Sequence, residues 1–462
     1  MGDSQRVVRI LGAGLAGSEA ALQLADRGIR VELVEMRPEV GTAVHKTGNA
    51  AELVCSNSLK STNPDSAAGM LKAELSALGS RLIDAAMRNR VAAGGALAVD
   101  RDAFSNEVTA RLCAHPLIEI SHRLAASLDE EAVGVDALIV ATGPLTEGDL
   151  AQSLCEATGA ANLAFFDAAA PVVMAESLDR EKLFSQSRYE EGAGDYLNAP
   201  FSKEEYEAFA QELVGAERVI KREFESKDLF QACQPIEEIA RTGIDAPRFG
   251  ALKPVGLTDP RTGRRPWAAL QLRAEDAHGE SYNLVGFQTN LTFPEQRRVF
   301  RMIPGLESAE FARYGVMHRN TFINAPSLLD SNLRFRPEIE ARWGVPVHVA
   351  GQLAGTEGYC EAIRSGLHAS LAVVAELSGE KPLPLSVDTA FGALMGYATD
   401  PQTTGYQPMH VNFGIMRPLD ERIRNKRERY AAYARRGSEA LAGYCGQLRQ
   451  RGLLPSVEGG ER

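Results

Sequence analysis

The chain has 462 residues, 44% hydrophobic and 24% charged, which suits a soluble globular protein of two or three domains with a sizeable core. Its formal net charge of −11 argues against nucleic acid as a partner unless the cations gather on one face. The six cysteines are dispersed without a CxxC pair or a zinc-spaced cluster, no apolar run reaches membrane-spanning length and MGDSQRVVRI has no signal pattern, so the expectation is a cytoplasmic protein with no disulfide framework, no metal and no membrane partner.

The first predicted elements are the most informative. An apolar strand, Val7 to Leu11, runs into Gly12-Ala13-Gly14-Leu15-Ala16-Gly17, then an alanine-rich helix, then a second strand, Arg30 to Val34, ending on Glu35. Gly12 permits the tight strand-to-helix turn, Gly14 lets the backbone approach a pyrophosphate, and Gly17 lets helix and strand pack closely. The helix N-terminus offers free N–H groups and a positive dipole end. Glu35 is placed to accept hydrogen bonds from a ribose. Glycines alone explain only a tight turn, but strand, glycines, helix, second strand and acid agree on a dinucleotide site.

FAD is preferred to NAD because this turn lies so near the chain start and because two later segments complete a flavin fold. Asp136 to Gly143 is a buried strand ending in a Thr-Gly turn. Val347 to Gln352, with Gly351, leads into a glycine-rich loop and small-residue helix from Gly355 to Gly366 that can face the pyrophosphate or ring. Taken alone, each reads as an ordinary parallel strand ending in a loop.

Between these segments the character changes. Residues 160–300 mix aromatics (Phe165, Phe166, Phe184, Tyr189, Tyr196, Phe201, Tyr206, Phe209) with strand-like stretches and Gly/Pro turns. A helix is predicted over Lys203 to Val214, entered from Ser202 with Glu205 at the capping-box position, and another over Ile236 to Arg241. After about 310 the α/β pattern returns, with a strand at Val345 to Ala350, and 418–452 read as a charged helix. The expected fold is therefore α/β, a doubly wound FAD-binding Rossmann-like domain of glutathione-reductase type carrying an inserted α+β domain. The expected division is 1–155 and 306–440 for the two parts of the FAD domain, 156–305 for the insertion and 441–462 for a tail.

Three basic groups interrupt the acidic balance: Arg261, Arg264 and Arg265; Arg297, Arg298 and Arg301; and Arg417 to Arg436, with eight cations against three acids. Each reads as a solvated face or as part of a positive surface. Two cysteines stand out by context. Cys55 lies in ELVCSNSLK, about 20 residues after the ribose acid, where the chain returns toward a flavin ring. Cys233 lies in LFQACQPIEE, where the following helix would favour a thiolate and Glu237 and Glu238 would oppose it. A buried apolar cysteine is the commoner explanation for either. Cys113, Cys155 and Cys445 sit in helical patterns.

At this point the sequence resembles a known family. GAGLAGSEAA, EMRP, ELVCSNSLKS, CQPIEEIARTG, LVGFQTNLTFPEQ, HRNTFINAPSLL, GQLAGTEGY and VNFG, in order from about residue 7 to 430, look like the folate- and FAD-dependent tRNA uracil-5 methyltransferases (TrmFO, also called Gid). The larger flavoprotein of tRNA wobble-uridine modification shares the scaffold, but CSNSLKS and CQPIEE resemble the methyltransferases. One local departure is Gln234, where the family's CLP-type segment reads CQP.

The resemblance implies methylation of uracil C5 at position 54 in the T loop of tRNA. The methylene comes from 5,10-methylenetetrahydrofolate, the electrons from NADPH or NADH, and FAD is the bound cofactor. It implies Cys233 as the nucleophile at C6 and Cys55 as the acid–base or accessory thiol, with the roles open to exchange. Tyr359 becomes a candidate for stacking on flavin or folate, or an ordinary loop aromatic. The alternatives are an FAD oxidoreductase with a redox-active cysteine pair, a flavoprotein of tRNA wobble-uridine modification, and a flavin-bound RNA-binding or assembly protein with no turnover of its own.

Overall fold

The computed structural model describes residues 5–42, 44–159, 163–190, 192, 194–220, 234–404 and 406–454. A five-stranded parallel sheet forms the larger core, in the order Val347–Val349, Ala137–Val140, Val7–Leu11, Arg30–Glu35, Ile118–His122. The first strand is central: the chain leaves it to one side for Arg30–Glu35 and returns to its other side at Ala137–Val140. That reversal opens a crevice at the carboxyl ends of the strands, where doubly wound sheets bind ligands. The strands Ala137–Val140 and Val347–Val349 are buried at every residue, which is why they read as continuous apolar runs, whereas Ile118–His122, at one edge, has no fully buried residue.

Two helices pack face to face above this crevice. Leu15–Ala25 follows the glycine turn, and Tyr359–Leu377 follows the last parallel strand. Their backbones meet at Gly366, where a Cβ would stand 2.1 Å from the Ala16 carbonyl oxygen. A side chain at Gly366 would push the two N-termini apart.

A second, antiparallel sheet has its strands in the order Phe184–Ser185, Tyr196–Phe201, Ala268–Ala274, Ser281–Leu284, Val172–Met174, Phe311–Arg313. Its separate core is aromatic, with Phe201, Tyr206, Phe209, Phe287 and Phe300 in mutual ring contact. Tyr206 and Phe209 come from the helix Lys203–Gly215, which begins at Ser202 with the expected capping box: Ser202 Oγ accepts from Glu205 N at 3.2 Å and Glu205 Oε2 accepts from Ser202 N at 2.8 Å. An antiparallel pair, Leu163–Ala168 with Met317–Phe322, joins the two sheets' regions.

The C-terminal charged helix is shorter than its composition suggests. It runs over Lys426–Gln450, because Asn425 Oδ1 accepts from the amides of Arg427 and Glu428 and fixes the start there. Residues 418–425 lie outside it. Among the described residues no helix is long and apolar enough to cross a membrane.

Candidate active site

The crevice is a cleft of about 370 Å³, within the range for small-molecule and cofactor sites. Gly12, Gly14, Leu15, Ala16, Glu35, Gly143, Gly351 and Tyr359 line it, together with Arg37 and the segment from Thr142 to Leu150. The three fingerprint glycines do different work. Gly12 has φ +94° and a Cβ there would stand 2.6 Å from the Ala141 carbonyl; one on Gly17 would stand 1.9 Å from the Gly12 carbonyl. A Cβ on Gly14, by contrast, would meet nothing within 4 Å, so it would project into the space a pyrophosphate needs. Neither helix facing the cleft has a side-chain cap, since Gly14 and Gly358 are the N-caps. Their first N–H groups are thus left for a ligand.

Glu35 lines the cleft and is buried. Its Oε2 accepts from Ala13 N at 2.7 Å, and its Oε1 accepts from Arg37 N at 3.0 Å and Arg37 Nε at 2.8 Å. Burial opposes its ionisation, but the Arg37 guanidinium and these N–H donors outweigh that and hold the carboxyl below its usual range. A charged, preorganised carboxylate with lone pairs to spare fits a ribose diol. The residues present therefore fit FAD: Gly14 leaves the space a pyrophosphate would need, and Glu35 would accept from a ribose. Sequence reasoning passed over Arg37 as a site residue, although it lies inside EMRP.

Three expected binding residues act from outside the cleft wall. Ala13 orients Glu35 through its amide, and Gly17 seats the helix. Gly355 has φ +79°, and a Cβ on it would collide with the Tyr406 hydroxyl at 1.7 Å, so it shapes the loop that delivers Gly358 and Tyr359.

The Cys55 loop lies beside the cleft, which Val54 and Tyr359 line. The Tyr359 hydroxyl accepts from Cys55 N at 2.9 Å and from Ser56 N at 3.0 Å. Burial, reinforced by the proximity of Cys55, pushes the Tyr359 hydroxyl well above its usual range, so it stays protonated and keeps an O–H to donate. Three arginines hold the loop's acceptors. Arg101 donates to Leu53 O at 2.8 Å, Arg313 to Val54 O at 3.0 Å, and Arg273 to Ser56 Oγ at 3.0 Å and Asn57 Oδ1 at 2.8 Å. Arg273 and Arg313 belong to the antiparallel sheet. Burial, with Arg101 alongside, brings Arg313 down to about 10, still cationic at neutral pH. The half-buried thiol thus sits in a loop held on one side by Tyr359 and Arg101, each at the start of a helix, and on the other by Arg273 and Arg313 of the antiparallel sheet.

Cys233 lies outside the described residues, but its flank does not. Ile236 N donates to Gln288 O at 2.7 Å, and buried Glu237 accepts from Thr289 Oγ1 at 3.0 Å and Asn290 N at 2.6 Å. Burial raises Glu237 to about 7 against those donors. PIEE and FQTN, distant in sequence, are therefore one structural unit.

Residues 7–381 match the model of the family described as glucose inhibited division protein A. A methylenetetrahydrofolate–tRNA-(uracil-5-)-methyltransferase TrmFO from Moorella thermoacetica is 50% identical over 437 residues, covering 94% of this chain and 97% of its own. The TrmFO of Carboxydothermus hydrogenoformans is 51% identical over 436 residues, covering 94% and 98%. The chain belongs to the TrmFO family. Its fold is also that of Aquifex aeolicus GidA, whose form I crystal structure superposes with a TM-score of 0.68 at 16% identity, over 98% of this chain and 77% of that one.

Among the basic groups of this TrmFO-family chain, Arg298, Arg301 and Arg261 are satisfied internally, whereas Arg264 and Arg265 are exposed with no ion pair among the described residues. Arg298 pairs with Glu295 at 2.7 Å and also with Glu212, Arg301 donates to the Ala309 carbonyl, and Arg261 pairs with Asp259 at 2.9 Å. On the C-terminal segment, Arg422, Arg424, Lys426, Arg427 and Arg435 are exposed, and none is ion-paired among the described residues. Aromatic rings interleave with them: Phe413 stacks on Tyr430 and Tyr433, with Lys426, Arg429 and Arg436 over the tyrosine rings.

Proposed function

We propose that this enzyme, a tRNA (uracil-5-)-methyltransferase using 5,10-methylenetetrahydrofolate, acts on the T-loop uridine 54 in the cytoplasm, with NADPH or NADH as reductant and with Cys233 and Cys55 dividing the chemistry. Identity of about one half over 94% of the chain to TrmFO proteins carries the activity.

Uracil C5 is a weak nucleophile. Addition of the Cys233 thiolate to C6 forms an enolate whose C5 attacks the one-carbon unit; Cys55 takes the C5 proton, and expulsion of Cys233 from C6 restores the ring. FAD bound in the cleft would supply the redox chemistry that turns methylene into methyl. Gly12, Gly14 and Gly17 shape its pyrophosphate seat, with Glu35 at the ribose. Tyr359 and the three arginines fix the backbone of residues 53–57, which holds the Cys55 loop in one place for its approach to C5.

Tritium release from C5-labelled uracil in unmodified tRNA tests the activity. Release should require the folate donor, the reduced nicotinamide and the enzyme together. Nicotinamide oxidation without tritium release would leave only the oxidoreductase alternative standing.

The uridine must be drawn out of a folded tRNA, so phosphates have to be held. The unpaired cations around the Lys426–Gln450 helix supply that grip. Neutralising Arg422, Arg424 and Arg427 together should weaken tRNA binding and flatten its log–log salt dependence by roughly one unit per lost phosphate contact, with FAD content unchanged. An unaltered slope would return this segment to a merely solvated face.

A further inference from the structure

Phe293, Tyr314 and Phe311 form a stack at the surface of the antiparallel-sheet region. Tyr314 is shared, 4.7 Å from Phe293 at 17° and 5.0 Å from Phe311 at 13° between ring planes. Phe311 packs against the aromatic core, whereas Phe293 is 48% exposed. Phe293 opens the helix Phe293–Phe300, a position where folding asks for no aromatic ring. The stack is seated at one end and open at the other.

Its place in the fold is specific. Arg313, between Phe311 and Tyr314 in sequence, donates to Val54 O in the Cys55 loop. Gly315, after Tyr314, lies so close to Thr289 that a Cβ would be 2.5 Å from its Cγ2, and Thr289 Oγ1 donates to Glu237, four positions after Cys233. The stack therefore stands between the Cys55 loop and the helix Ile236–Thr242, which begins three positions after Cys233 in sequence. Gln296 fastens it, donating to the Leu291 and Gly315 carbonyls and accepting from Gly315 N. A cation marks its rim: Arg297 donates to the Tyr314 hydroxyl at 2.6 Å and has no ion pair among the described residues.

We propose that this stack is a platform for a nucleobase of the tRNA loop, one adjacent to the target uridine, which continues the stack on Phe293 when the uridine is drawn toward the cysteines. The inference rests on the tRNA reading above. Flat rings continuing in register, a free outer face and a neighbouring guanidinium are the chemistry by which proteins hold unstacked bases. The ligand class follows from it: any base with a π-face is accepted, so the platform supplies affinity and placement without sequence readout.

The test uses the FAD-loaded enzyme and an unmodified tRNA transcript, with Kd measured by filter binding across a salt series. Phe293→Ala should raise Kd about 10-fold or more, with the salt slope unchanged because no phosphate contact is lost. Phe293→Leu, which keeps apolar bulk without a π-face, should be nearly as weak, and Phe293→Trp should restore binding. Retained flavin absorbance shows that each variant is folded. A Kd for Phe293→Ala within twofold of the parent overturns the proposal. So does a Leu variant as tight as the parent, or a raised KM for 5,10-methylenetetrahydrofolate with tRNA binding intact. A parent enzyme that does not bind tRNA would instead overturn the tRNA reading itself, and the platform with it.

Discussion

Cys233→Ala is expected to fold, retain FAD and lose methyl transfer by at least about 10³-fold, the scale on which removing a covalent nucleophile acts. It should also form no covalent adduct with tRNA carrying 5-fluorouridine. Fluorine at C5 cannot leave as a proton would, so a cysteine that has attacked C6 remains trapped on the ring. Cys55→Ala should lose turnover by about 10²- to 10⁴-fold, the range for a proton-transfer group, yet still allow the trapped adduct through Cys233. Peptide mapping of the parent adduct decides the assignment. Label on Cys55 alone would exchange the two roles, and label on neither would remove covalent attack at C6 from the mechanism.

Gly14→Val is expected to yield folded but colourless protein. The contrast among the glycines is what makes this informative. A Cβ at Gly12 or Gly17 would strike the Ala141 or Gly12 carbonyl and distort the turn itself, whereas one at Gly14 has open space for 4 Å around it. The valine branches would occupy only the pyrophosphate position over the helix N-terminus. Flavin absorbance should fall to background while the melting temperature, compared with the stripped parent, stays within a few degrees. Yellow protein at full FAD occupancy would show that the dinucleotide does not cross Gly14.

Features encoded within a few residues were legible in the sequence. The first strand is found over Val7–Leu11 as expected, because an apolar run ending in Gly-x-Gly-x-x-Gly leaves the backbone few other courses. The Ser202 cap and Glu205 box appear in the structure for the same local reason. Contacts across long separations were not legible. Tyr359 reads as a loop aromatic suited to stacking, but its hydroxyl receives two amides about 300 positions earlier in the chain. Nothing near Arg101, Arg273 or Arg313 in sequence advertises the Cys55 loop. The aromatic stack was hidden likewise, since Phe293 and Tyr314 lie on elements that only the fold brings together. The charged C-terminal segment misled in a simpler way, because its basic composition continues through Asn425 while the helix begins there.

The anchoring of residues 53–57 bears on how such enzymes can be recombined. A sheet inserted through a pair of connecting strands looks like a part that could be transplanted whole from one relative to another. Here Arg273 and Arg313 lie within that part, while the carbonyl, hydroxyl and amide oxygens they satisfy lie in the other. Asn57 also donates back to the Ala274 carbonyl at 2.9 Å. A graft lacking either arginine would strand acceptors next to the Cys55 sulfur, at a cost of about 1–3 kcal/mol for each one buried. The heritable unit is thus split along the chain: 172–313 and 53–57 travel together or not at all.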